Sequence, residues 1–235
     1  MNANGLRIED VSKHFGGFMA LSHVSLDVCE GERLGVIGPN GSGKTTLMNC
    51  IAGSLRPDGG SIRFRGEEIS RLAAHRRAQR GIARSFQLPH PFSSMTVLEN
   101  LLVPLEYLGR GKPADAYRIL GEMGLGEKAG TLSNQLSQVE LRKLELGRAM
   151  AAHPRLLIAD ESMAGLSFSE VGEILAILFR LNESGITVIM IEHIMQAVVR
   201  FSQRVVCLDA GRIICAGTPA QVIADAQVQK AYLGA

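Results

Sequence analysis

The chain has 235 residues, 46% of them hydrophobic and 20% charged, enough to form one large domain or two small ones and to bury about 70–75% of its unfolded surface without disulfide or metal staples. A formal net charge of +2 argues against a dedicated nucleic-acid binder. The cysteines at 29, 50, 207 and 215 lack CxxC spacing and read as small buried hydrophobes of a reducing compartment.

Along the chain, MNANGLRIEDVSKHF shows no apolar signal region. No run of about 18 apolar residues occurs, so a cytosolic chain that spans no membrane is expected. LRIEDVSKHF and FMALSHVSLDV alternate apolar and polar residues, as half-buried antiparallel strands do. ERLGVIG reads as a strand covered on both faces, and KTTLMNCIAG as a helix ending near Gly53. GGSIRFRGEEI resembles an edge hairpin. The basic run RLAAHRRAQRGIARS (71–85) reads as a solvated face, with contact to anionic lipid or a partner as the alternative. From about 88 to 150 only helical spacing appears, in MTVLENLLVPLEYL, ADAYRILGEMGL and LSQVELRKLELGR. RLLIAD (155–160) and ITVIMIEH (186–193) are buried strands. Between them, a helix places Val171, Ile174, Leu175, Leu178 and Leu181 on one face. VVCLDAGRIICAG predicts a late hairpin around Ala210-Gly211. Buried strands alternating with helices predict an α/β fold on a parallel or mixed sheet. An antiparallel β subdomain precedes it, and a helical segment is inserted at about 88–150.

GPNGSGKT (38–45) follows a buried strand and opens a helix, the context a phosphate-binding P-loop requires. Gly38, Pro39, Asn40, Gly41, Ser42 and Gly43 curl the backbone so that N–H groups point inward at phosphate oxygens. The helix start at Lys44, Thr45 and Thr46 adds its positive dipole end. Lys44 supplies charge to the β- and γ-phosphates, and Thr45 offers a hydroxyl to Mg²⁺. Asp160 ends a strand beside the expected position of the loop and is a candidate Mg²⁺ ligand. Glu161, next along, points elsewhere and is the candidate to polarise an attacking water. The competing reading makes both acids surface residues. His193 follows the next apolar strand on the same sheet edge, where α/β sheets bind ligands, and is a candidate γ-phosphate contact. Gln87 can ligate Mg²⁺ or orient water, or be a surface residue.

GPNGSGKTT, Gln87, LSQVE, LLIADE, the AGLS turn at 164–167 and His193, in this order, resemble the ATP-binding cassette (ABC) ATPases that drive membrane transporters. The resemblance covers essentially the whole chain, residues 1–235, as a single nucleotide-binding domain with a helical subdomain. KHFGGFMALSHVSL, ARSFQ, MTVLENLLV and AYLG are similar to the branched-chain amino acid importers, with lipopolysaccharide-export ATPases a related alternative. The resemblance implies that Phe15 stacks on adenine, where a core phenylalanine is the competing reading. It implies that segment 88–106 faces a transmembrane permease, which an external binding protein serves. It also implies dimers at the cytoplasmic face of the membrane, with ATP held between one P-loop and the partner's signature helix.

The signature departs from the family pattern. LSQVE keeps Ser137, followed by Gln138, but Val139 stands where glycine is usual and Glu140 where glutamine is usual. Valine crowds a close backbone approach. A carboxylate some 5 Å from a phosphate charge is repelled by roughly 3 kcal/mol at an effective dielectric near 20. Ser137 and Glu140 also have the spacing of a capping box, which would use that charge on the helix end. This signature is therefore expected to be a poorer clamp, and a heterodimer with a conventional partner is favoured. A subunit that binds ATP but hydrolyses little is the competing function, opposed by Glu161. A soluble role in translation or DNA repair is opposed by the length, which holds one cassette. Ser162, where many relatives carry proline, is expected to have no large effect.

Overall fold

A computed structural model describes residues 4–85, 89–109 and 112–233. The alternating segments form a long antiparallel hairpin, β1 (Asn4–Phe15) and β2 (Phe18–Cys29). β3 (Arg33–Ile37) is buried from Leu34 onward and leads into α1 (Lys44–Ala52), which stops at Gly53 in the left-handed region. β4 (Gly59–Phe64) pairs with β1, and the short β5 (Glu67–Glu68) forms the edge. The first sheet is thus antiparallel, in the order β2-β1-β4-β5.

α2 (Ala74–Gln79) and β6 (Ile82–Ser85) occupy the basic run, which is not simply a solvated face. Arg77 is 1% exposed. Its guanidinium donates to Leu72 O (2.9 Å), Ile51 O (2.8 Å), Ser70 O (3.1 Å) and Cys50 O. Two of those carbonyls close α1, where helix geometry supplies no partner. A buried cation is tolerated there because its donors are satisfied. Sequence spacing alone could not separate this arginine from its solvated neighbours.

α3 (Val97–Leu108), α4 (Pro113–Met123) and α5 (Gln138–Met150) follow. Among the described residues from 89 to 150 the only β pairing is an isolated bridge between Thr96 and Leu132. β7 (Leu156–Asp160), α6 (Phe168–Glu183), β8 (Thr187–Ile191), α7 (Met195–Phe201), β9 (Arg204–Asp209) and β10 (Arg212–Gly217) come next. The second sheet runs β10-β9-β3-β8-β7-β6 and is parallel except for β10. Ala210 and Gly211 both take positive φ (43° and 77°), as the tight turn from β9 to β10 demands. α8 (Pro219–Ala224) and α9 (Ala226–Leu233) close the described chain.

The core lies on both faces of this second sheet. On one face Leu47, Met48 and Ile51 of α1 meet Ile8 and Ile62 of the first sheet. On the other, Leu101, Ile119, Leu144 and Ile174 of α3 to α6 pack together. With both faces covered, β7 and β8 are buried at every position, which explains their unbroken apolar sequence. The predicted α6 stripe is buried in full. All four cysteines are free thiols. Only Cys50 and Cys207 are buried, and Cys29 and Cys215 are partly exposed at strand positions near sheet edges. No described helix is long and apolar enough to cross a membrane.

Candidate active site

Residues 38–46 turn from the end of β3 into α1. Gly38, Gly41 and Gly43 take φ of 149°, 79° and 105°. A Cβ at Gly38 would lie 2.2 Å from Leu208 O, and one at Gly43 would lie 2.6 Å from Ala20 O. Only glycine fits these positions, both by conformation and by space. The N-cap of α1 is Gly43, so no side chain caps the helix and its first turn holds no acid. The leading N–H groups and the positive dipole end therefore remain available to an anion. Ser42 Oγ is buried inside the loop with no hydrogen-bond partner among the described residues, which also suits a polar ligand.

Lys44 is buried, and its Nζ donates to Gly38 O (2.7 Å) and Pro39 O (2.9 Å). Burial pushes its pKa down, partly offset by the field of Glu161. A polyanion would relieve that penalty and draw the ammonium off the two carbonyls.

A cleft of about 230 Å³ opens beside the loop. Phe15, Phe18, Ala20, the segment 40–46, Glu161 and His193 line it. Phe15 is 47% exposed, so it is not a core side chain, and the competing core reading fails. Phe18 faces the same cleft because it pairs with Phe15 at the end of the β1–β2 hairpin. The sequence reading missed Phe18, although hairpin register could have found it.

Asp160 and Glu161 diverge, as neighbours at a strand end should. β8 lies between β7 and β3, so Asp160 is one strand further from the loop than the sequence reading had it. Asp160 is buried, and its Oδ2 accepts from Arg84 Nη2 at 2.5 Å. Arg84 also donates to Asn49 Oδ1 of α1. Glu161 takes φ of 45°, its N–H donates to Ile191 O, and its Oε1 lies 3.0 Å from His193 Nε2. These two residues sit together at the mouth of the cleft. Gln87 lies outside the described residues. Ser162 is buried and its hydroxyl has no partner among the described residues, so nothing shows it taking part in the site.

Glu192 went unnoticed in the sequence because it ends an apolar strand beside a histidine. It is 2% exposed, and it accepts from Met163 N at 2.9 Å. Burial pushes its pKa up to about 7.

Ser137 caps α5. Glu140 N donates to Ser137 Oγ (3.4 Å), and Ser137 N donates to Glu140 Oε2 (2.9 Å), closing the predicted box. An unforeseen cation adds to it: Lys128 Nζ lies 2.5 Å from Glu140 Oε1 and is the main cause of that carboxyl's lowered pKa. Val139 is partly buried against the helical core. Gln138 and Arg142 donate to Ala164 O, tying α5 to the 164–167 turn. None of residues 137–140 lines the chain's own cleft.

The sequence profile of the ABC transporter family matches residues 21–164, and a profile for a branched-chain amino acid ATP-binding cassette transporter matches residues 212–235. The chain is 37% identical over 248 residues to the high-affinity branched-chain amino acid transport ATP-binding protein BraF of Pseudomonas aeruginosa, covering 97% of each chain. It is 36% identical over 233 residues to the lipopolysaccharide export system ATP-binding protein LptB of Haemophilus influenzae, again covering 97% of each. A solved ADP conformation of an ABC transporter cassette is 33% identical and superposes with a TM-score of 0.91 over 99% of each chain. The loop that only glycine can shape and the relatedness along nearly the whole length agree: the chain belongs to the ABC transporter family, as an ATP-binding and ATP-hydrolysing cassette.

Proposed function

We propose that the chain is the energy-supplying subunit of an importer of the branched-chain amino acid type, docked on the cytoplasmic side of a transmembrane permease that an external binding protein serves. The observation that carries the catalytic half of this reading is the cleft, where loop 40–46, Glu161 and His193 meet. In it, Phe15 stacks on the adenine, residues 38–46 wrap the phosphates, and Lys44 moves from the loop carbonyls to the β- and γ-phosphates. Glu161 polarises the attacking water, and His193, 3.0 Å away, holds that carboxylate and contacts the γ-phosphate.

Thr45 and Asp160, with Gln87, supply the hard oxygen ligands that Mg²⁺ prefers. Among the described residues no cluster of three or more His, Cys, Asp or Glu side chains could hold a metal. Thr45 and the Asp160 carboxylate would hold Mg²⁺, directly or through water, with phosphate oxygens completing its ligands. When bound, it neutralises phosphate charge.

Residues 1–235 act as one nucleotide-binding domain, with about 88–150 as the helical subdomain and its segment 88–106 facing the permease. Ser137, Gln138, Val139 and Glu140 serve the ATP of a partner cassette. Val139 and Glu140 weaken that service, which favours a heterodimer with a cassette of conventional signature. The 36% identity to a lipopolysaccharide-export cassette keeps that cargo as the second reading. The experiment is steady-state ATP hydrolysis by the purified chain. It should be slow alone and rise when a conventional cassette encoded beside the same permease is added. Fast cooperative turnover by the chain alone would rule out the heterodimer.

A further inference from the structure

We infer that α9 sets the shape of the empty nucleotide loop, and that Tyr232 is the positioning residue through which it does so. The Gly38 N–H donates to Tyr232 Oη at 2.7 Å, bridging 194 positions of sequence. Gly38 is buried. A buried backbone N–H needs a partner, and the loop offers this one no carbonyl among the hydrogen bonds described. A second contact fixes the same helix to the same place. Val228 of α9 is 4% exposed and packs in a cluster with Ile37, the residue before Gly38. The helix is thus anchored at the last residue of β3 and hydrogen-bonded to the first residue of the loop.

The peptide units at Gly38 are held from two sides. Tyr232 takes the N–H, and Lys44 donates to the C=O at 2.7 Å. When phosphates draw Lys44 away, the tyrosine contact remains. Without the hydroxyl, the empty loop is free to turn the Gly38 peptide toward water, and nucleotide must then restore it. Affinity falls by the fraction of loops still in the binding shape. Tyr232 acts on the loop without touching ATP. It rests on the assignment of residues 38–46 as the nucleotide loop.

The test uses Tyr232→Phe and Tyr232→Ala in the full chain, with Lys230→Ala on the exposed side of α9 as control. The probes are fluorescent ADP and ATP analogues followed by stopped flow. One net hydrogen bond predicts a roughly three- to tenfold weaker affinity, equal for ADP and ATP and similar in both tyrosine variants. The loss lies in the association rate, because fewer empty loops are competent, and dissociation is unchanged. Native affinity in Tyr232→Phe overturns the inference. So does a loss confined to Tyr232→Ala, which would make the ring a packing element only. A loss found in dissociation alone also overturns it. Lys44→Ala tests the underlying assignment separately: if that variant binds nucleotide normally, the loop is misassigned whatever Tyr232 does.

Discussion

Replacing Lys128 with methionine strips Glu140 of the cation 2.5 Å from its Oε1. In the proposed dimer, Glu140 sits near the γ-phosphate of the partner's ATP. A phosphate charge about 5 Å from the carboxylate is repelled by about 3 kcal/mol at an effective dielectric near 20. Lys128, lying behind the carboxylate at about 7.5 Å from that phosphate, returns about 2 kcal/mol of attraction, leaving a net penalty of about 1 kcal/mol. Lys128→Met therefore exposes the further 2 kcal/mol, about a 30-fold rise in the ATP concentration needed for half-maximal turnover. Glu140→Gln removes the whole repulsion of about 3 kcal/mol while Lys128 stays, and lowers that concentration by about two orders of magnitude, while glutamine still closes the capping box. The fold itself should barely change, because the pair is partly exposed (45% and 19%) and such pairs contribute about 0.2–1 kcal/mol. The assay is the ATP dependence of hydrolysis in the assembled dimer at low ionic strength, with melting curves as control. If Lys128→Met needs no more ATP than the parent, the electrostatic reasoning is wrong.

Two further substitutions address the buried charges around the site. Arg84→Met leaves the Asp160 carboxylate, 7% exposed, without its guanidinium. Removing one member of a buried pair costs about 3–5 kcal/mol, so the melting temperature should fall by about 10 °C, and an unchanged melt would show that the pair adds nothing. Glu192→Gln tests a pH dependence. Burial raises the folded pKa of Glu192 to about 7, so the stability linked to its proton is complete below the unfolded carboxyl range and is lost as pH rises through 7. The glutamine variant should match the parent near pH 5 and out-melt it near pH 8, and an advantage at acid pH instead would contradict the sign.

Much of the site was legible because its chemistry is local in sequence. The glycines at 38, 41 and 43 take positive φ and fall within nine consecutive residues, so their spacing alone marks the loop. Asp160 ends, and Glu161 and His193 follow, strands whose apolar runs mark their burial. What sequence could not supply were contacts between distant segments. Arg77 and Arg84 sit in one basic run with solvated neighbours, and only the packing of α2 and β6 against α1 and β7 distinguishes them. Lys128 reaches Glu140 across the bend before α5, so a carboxylate that spacing pairs only with Ser137 also has a cation of this chain beside it. The capping box at Ser137 was readable from spacing, yet spacing gave no sign of that third partner.

The most direct measurement is made on Glu161→Gln, in the presence of the partner cassette and Mg²⁺. Amide and carboxylate share shape, so the cleft should bind ATP as the parent does, while loss of the water-polarising group cuts turnover about 10²-fold or more. The unhydrolysed nucleotide should then hold the two cassettes together, seen as an ATP-dependent dimer by light scattering. Parental turnover in this variant, or loss of ATP binding with it, would contradict the assignment of Glu161 as the catalytic carboxylate.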